Sequence, residues 1–145
     1  MGIFYIMYKI LLILILLLTN LFSNNIQNNI SWYSSYDKAL EIAQKEKKNM
    51  MLFIASSKDK NSNEILRKHF QNQDYINYLN TNFISVLITV EHKTSYPIEL
   101  FYTTNFPSIF FASYKDESYL THPIYKFNSK EEFLNILYSI DLKTK

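Results

Sequence analysis

An unbroken apolar run, Met50 to Ala55, followed at once by the wholly polar Ser56 to Asn63, constrains this chain more than any other stretch. Six consecutive apolar residues suit a strand covered on both faces, as in a parallel sheet. Beyond the polar stretch, Ile65, Leu66, His69 and Phe70 repeat at helical spacing. The segment from Asn49 to Phe70 therefore reads as strand, turn and helix. An α/β protein places its chemistry where such a strand ends and a helix begins. That place holds Asp59, Lys60, Asn61 and Ser62, and no cysteine occurs in the 145 residues.

Composition excludes several functions. The only glycine is Gly2. Phosphate-cradling loops and dinucleotide-binding turns need glycine, because the backbone must approach the ligand at positive φ. The formal charge is +2 and Arg67 is the only arginine. That balance leaves no electrostatic footprint for nucleic acid. Turns must rely on Asn, Asp and Ser instead. Aromatic residues make up 17% of the chain, and Phe and Tyr supply nearly all of it, so large side chains fill the core.

The remaining elements follow from pattern. Ser34 with Asp37 resembles a capping box ahead of the stripe Tyr36, Ala39, Leu40 and Ala43, and this helix ends in the lysine-rich segment before Asn49. Asp74 caps a short helix carrying Tyr75, Ile76 and Leu79. Phe83 to Val90 is a second apolar strand, Pro97 opens a helical stretch from Ile98 to Tyr102, and Ser108 to Ala112 is a third strand. Lys115 to Glu117 reads as a hairpin turn into a strand from Tyr119 to Phe127, which Pro123 confines to an edge or an irregular strand. Ser129 and Glu132 make a capping box for a helix with Phe133, Ile136, Leu137 and Ile140 on one face.

Ahead of this domain, Lys9 precedes the apolar run Ile10 to Leu18. That layout places an export segment over residues 1–23: either a cleaved signal peptide or an uncleaved anchor, since residues 3–22 are apolar enough to span a bilayer. Residues 24–30 form a polar linker with a sequon at Asn29, and residues 31–145 form the folded domain. The layout points to an exported protein, periplasmic or anchored in the inner membrane and facing the periplasm.

The order of elements, with an antiparallel hairpin near the end and a closing helix, resembles the thioredoxin fold. Trp32, Tyr36, Ala39, Ala43 and Lys48 match the opening motif of an exported thioredoxin-like family, and Phe106 to Phe111 matches its cis-proline strand. The resemblance covers roughly residues 31–140. It implies a three-layer α/β sandwich, with a central mixed sheet and helices on both faces, and a cis peptide at Phe106–Pro107. Counted back from Phe70, the family's C-x-x-C cysteines fall at Asp59 and Ser62, and its tryptophan at Lys58. Thiol–disulfide exchange passes through a mixed disulfide and needs a sulfur nucleophile. Asp59 and Ser62 are degenerate active-site positions that cannot supply one. The resemblance leaves a binding groove of Lys58, Lys60, Asn61, Phe106, Pro107 and Ser108, where family members hold an extended substrate segment.

Other candidates reduce to structural roles. Asp59 just before a helix is an N-cap first and a nucleophile second, with no partnered base beside it. Lys58 and Lys60 read as a solvated turn rather than an anion site, given the missing glycines. His69 lies on an apolar stripe, and His69, His92 and His122 lack metal-ligand spacing. Ser56, Ser57, Asp59 and His69 have no nucleophile elbow around them. Tyr102, Phe106, Tyr114 and Tyr119 form a candidate aromatic patch near Pro107. No catalytic residue, metal ligand or cofactor is expected. The expected role is a non-catalytic protein-binding or assembly module of the bacterial cell envelope, holding a protein or extended peptide partner. The alternatives are an enzyme with non-redox chemistry in the Ser56–Asn63 turn, or a membrane-anchored structural subunit.

Overall fold

The computed structural model describes residues 7–9, 29–68, 70–71, 73–92, 96–126 and 129–144. Most of the expected export segment, most of the linker and His69 lie outside the described residues. Among those described, no helix is long and apolar enough to cross a membrane.

In chain order the elements are β1 (Trp32–Tyr33), α1 (Tyr36–Glu46), β2 (Asn49–Ala55), α2 (Lys60–Lys68), α3 (Gln73–Asn82), β3 (Phe83–Thr89), β4 (Ser108–Ala112) and α4 (Lys130–Thr144). The strands form one sheet in the order β1-β3-β2-β4. β1, β3 and β2 are parallel, and β4 runs antiparallel to β2 with Ile54 opposite Ser108 and Met50 opposite Ala112. β2 is central, and all its residues from Met50 to Ala55 are buried. That position explains why its sequence shows no alternation of polar and apolar residues.

Successive residues of a strand point to opposite faces. Met51, Phe53 and Ala55 therefore join one core layer, with Phe70, Tyr75, Leu79, Phe133 and Leu137 from α3, α4 and the segment after α2. Met50, Leu52 and Ile54 join the other, with Tyr36, Ala39 and Ala43 of α1 and with Phe101. Helices thus cover both faces, as in a thioredoxin-like three-layer sandwich. Aromatic edges bind the first layer together: Trp32 meets Phe53 at 6.0 Å and Phe70 at 5.9 Å, and Phe70 meets Phe133 at 5.6 Å. Burying a side chain of this size contributes roughly 1.5–3 kcal/mol.

Without glycine, other residues take the left-handed positions that end turns. Lys47 does so after α1 (φ 55°), and the Lys48 N–H returns to the Ala43 carbonyl at 3.0 Å. Glu117 does so in the turn after β4 (φ 59°).

Several expectations are corrected. The cap of α1 is Ser35, not Ser34; its hydroxyl accepts the Lys38 N–H. Asp74 lies inside α3, which begins a residue earlier. Pro97 opens a single turn, closed by the Leu100 and Phe101 N–H groups on its carbonyl, and no helix follows. Of the two forms expected beyond Tyr119, the irregular one is present and the continuous edge strand is not. The segment touches β4 through isolated pairings, Ala112 with Tyr119 and Ile109 with Ile124. Pro123 has no N–H to extend the ladder. β1, only two residues long, gave no periodic signal in the sequence.

Candidate functional site

β2 leaves the sheet at Ala55, whose carbonyl accepts the Val90 N–H at 3.0 Å. The next residues turn tightly, with the Asp59 N–H on the Ser56 carbonyl at 3.1 Å. The Ser56 hydroxyl, nearly buried, donates to Glu91 and accepts the Lys58 N–H at 3.3 Å. The Ser57 N–H donates to the other oxygen of Glu91 at 2.8 Å. Glu91, just past β3, therefore grips the turn with both carboxylate oxygens. The Ser56 hydroxyl, then the Ser57 N–H, hold its pKa down at about 2. Donors aimed at the charged form stabilise it even at an exposed position.

Asp59 closes the turn. One of its oxygens accepts both the Ser62 N–H and the Ser62 hydroxyl, each at 2.8 Å. That is an N-cap on α2, satisfying a donor the helix leaves without a partner. Ser62 is 1% exposed. The two positions that the resemblance aligns with the family's cysteines are thus joined side chain to side chain at the helix N-terminus. Lys58, Lys60 and Asn61 stand exposed around them.

The second part of the proposed groove arrives through β4. The register of Ile54 with Ser108 brings Pro107 to the end of β2 from which the turn leaves. The Phe106–Pro107 peptide is cis, as the resemblance implies. Pro107 is buried and Phe106 is half-buried. Ser108 faces inward: fully buried, its hydroxyl donates to the Asn105 carbonyl and meets the Thr103 hydroxyl at 2.8 Å. Further along, Ile109 exchanges two main-chain hydrogen bonds with Ile124, and the Phe111 carbonyl accepts the Leu120 N–H. The outer edge of β4 is therefore occupied by the chain itself.

The remaining candidates are dispersed. Tyr119 stacks on Phe101 and Phe110, at 5.8 and 5.7 Å, and its hydroxyl donates to the Leu100 carbonyl. Tyr102 is 68% exposed, whereas Tyr114 is half-buried. His92 and His122 are both exposed, on separate segments. No group of three or more His, Cys, Asp or Glu side chains suited to a metal gathers among the described residues. The residue that sequence reasoning passed over is Glu91. Its only signal was a carboxylate directly after an apolar strand, and nothing local linked it to a turn more than thirty residues earlier.

Comparison with known proteins agrees with this architecture. The family model described as Thioredox_DsbH, "Protein of unknown function, DUF255", matches residues 17–104. No curated protein sequence matches the chain at a significant level. Among solved structures, a thioredoxin from Thermus thermophilus superposes with a TM-score of 0.67 at 17% identity, covering 79% of this chain and 89% of its own. A "DsbH Oxidoreductase" superposes with a TM-score of 0.65, also at 17% identity, covering 84% and 90%.

Proposed function

The chain belongs to the DsbH-like thioredoxin family, and from that premise we propose that it is a non-catalytic binding module, retaining the fold without its redox chemistry. The observation that carries this reading is the Asp59–Ser62 pair. Where an oxidoreductase of this fold exposes a thiolate at the helix N-terminus, this chain has a carboxylate engaged in capping. A thiolate there draws its reactivity from the dipole and the free N–H groups. With oxygen in place of sulfur, the same groups only stabilise the helix.

The module takes an extended protein segment across the end of the sheet, over Lys58, Lys60, Asn61 and the Phe106–Pro107 corner. The exposure of the three polar residues supports this. Ser108 then supports the corner from within and does not touch the partner. The N-terminal sequence, with Lys9 ahead of Ile10 to Leu18, supports an exported location in the cell envelope. A hydrolytic or transfer activity in the turn is disfavoured by its own groups. Glu91, the carboxylate bonded to Ser56, has a pKa near 2, and a useful general base has one near the working pH.

Photo-crosslinking tests the reading. A benzophenone side chain replaces Lys58 or Phe106 in the full chain, and a carboxamidomethylated, permanently unfolded protein of near-zero net charge is offered. Adducts are expected from both positions and not from Lys47, which precedes β2 at the opposite end of the sheet. Equal labelling from all three, or none from Lys58 and Phe106, overturns it.

A further inference from the structure

We propose that the partner segment is acidic and lies along the outward side of α2, its carboxylates reaching Lys60 and Arg67. This rests on the binding role proposed above and adds the chemistry of the partner. The outward side of α2 carries a hollow of about 480 Å³ lined by Lys60, Asn63, Glu64, Arg67, Lys68 and Gln71. Lys60, Asn63, Glu64, Arg67 and Lys68 recur at the three- and four-residue steps that place side chains on one helix face, and Gln71 lies in the turn beyond its end.

The charges in this stretch are unequally satisfied. Both carboxylates are already engaged, Asp59 with Ser62 and Glu64 with Lys68. Lys60 and Arg67 line the same hollow, are exposed, and have no ion-pair partner among the described residues. Two unneutralised cations therefore face the solvent across a concave surface whose remaining members, Asn63 and Gln71, offer amide donors. An anion is the complement. Lys60 and Arg67 are seven residues apart, about 10.5 Å along the helix axis. An extended chain covers that distance in about three residues. One continuous peptide can thus present a carboxylate to each cation, and the guanidinium fork of Arg67 suits a carboxylate held by two hydrogen bonds. The hollow begins at Lys60, the first residue of α2 directly after the turn, so a segment crossing that turn runs directly into it.

Contacts of this kind act mostly on encounter and orientation and are screened by salt. The test is fluorescence polarisation with the full chain and a short labelled peptide of alternating Glu and Ser. A peptide with Gln in place of Glu serves as the uncharged control, and vesicles of anionic lipid as the other source of negative charge. The Glu peptide is expected to bind, to weaken as ionic strength rises, and to bind more tightly than the Gln peptide. Lys60→Glu and Arg67→Glu each weaken it on the order of threefold to tenfold, and more together. Lys45→Glu, on α1, leaves it unchanged. Circular dichroism confirms that each variant folds; Lys60→Glu places an acidic residue in the first helical turn, which the helix dipole favours. Equal binding of the Gln peptide, insensitivity to both reversals, or loss of vesicle binding in their place overturns the inference. If the Glu peptide fails while the neutral unfolded chain still crosslinks at Lys58 and Phe106, only the acidic partner is refuted. If both fail, the binding role fails with it.

Discussion

The Asp59 carboxylate takes two hydrogen bonds from Ser62, one from its main chain and one from its hydroxyl, through a single oxygen at 2.8 Å. Under the sequence resemblance these are the positions aligned with the two cysteines of the redox motif. In this chain the two side chains meet through a helix cap. Ser62 is buried, so the bond is shielded on one side from competing water. The turn is fixed from the other side as well, because Glu91 holds Ser56 and Ser57. The loop is therefore anchored at both ends.

Removing the cap should measure that anchor. Asp59→Ala is expected to lower stability by about 1 kcal/mol, or on the order of 4 °C in Tm for a domain of this size. Asp59→Asn, which still accepts from the Ser62 N–H, should recover most of the loss. Thermal unfolding followed by circular dichroism distinguishes the two. Equal Tm values for Asp59→Ala and the parent protein would show that the cap contributes nothing.

Restoring sulfur should restore the bond. Because the side chains at 59 and 62 already meet, the double variant Asp59→Cys, Ser62→Cys is expected to form an intramolecular disulfide in oxidised glutathione. The helix N-terminus should also lower the pKa of the first thiol below its usual ~8.5. Mass spectrometry of the alkylated protein reads the outcome. Two thiols that both remain free would show that the turn no longer matches the redox geometry.

Glu91 gives the turn a pH dependence with a defined sign. Its pKa in the folded protein, about 2, lies below the ordinary 4.5. The folded state therefore favours the carboxylate, and the stabilisation is fully present above pH 4.5. It is lost as pH falls through 4.5 towards 2. Glu91→Gln should remove this part of the acid limb, so that the Tm of the variant and of the parent converge as the pH drops. Parallel Tm curves across that window would show that Glu91 is not held by Ser56 and Ser57.

Much of this was legible because it was local. The apolar run Met50 to Ala55 marked the central strand, and Asp59 ahead of a helical stripe marked a cap. The Ser129–Glu132 pattern placed the start of α4, where the Glu132 N–H does meet the Ser129 hydroxyl. The misread parts depend on distant residues. Trp32 and Tyr33 become a strand only because Ser85 and Val86 lie beside them. Glu91 becomes a clamp only because parallel pairing of β2 and β3 brings their ends together. The segment from Tyr119 has the composition of a strand, yet it meets β4 at only two separated points. Ser34 and Ser35 are equally good caps by type, and the backbone geometry at Ser35 decided between them.

At Ser85, in the sheet, the sequence and the surroundings disagree. It lies in β3, 2% exposed, opposite Met51 on one side and Trp32 on the other. Its hydroxyl has no hydrogen-bond partner among the described residues. Leaving such a group unsatisfied costs roughly 1–3 kcal/mol relative to exposing it to water. Alanine removes the oxygen and leaves a void smaller than a methyl group needs, so the cavity penalty stays small. Ser85→Ala is therefore expected to raise Tm by a few degrees, a stabilisation of about 1 kcal/mol. Ser85→Thr keeps the hydroxyl and adds a methyl to a packed layer, and should not share the gain. If alanine lowers Tm instead, the hydroxyl has a partner in solution, and hydrogen exchange at the Ser85 amide would then slow in the parent relative to the variant.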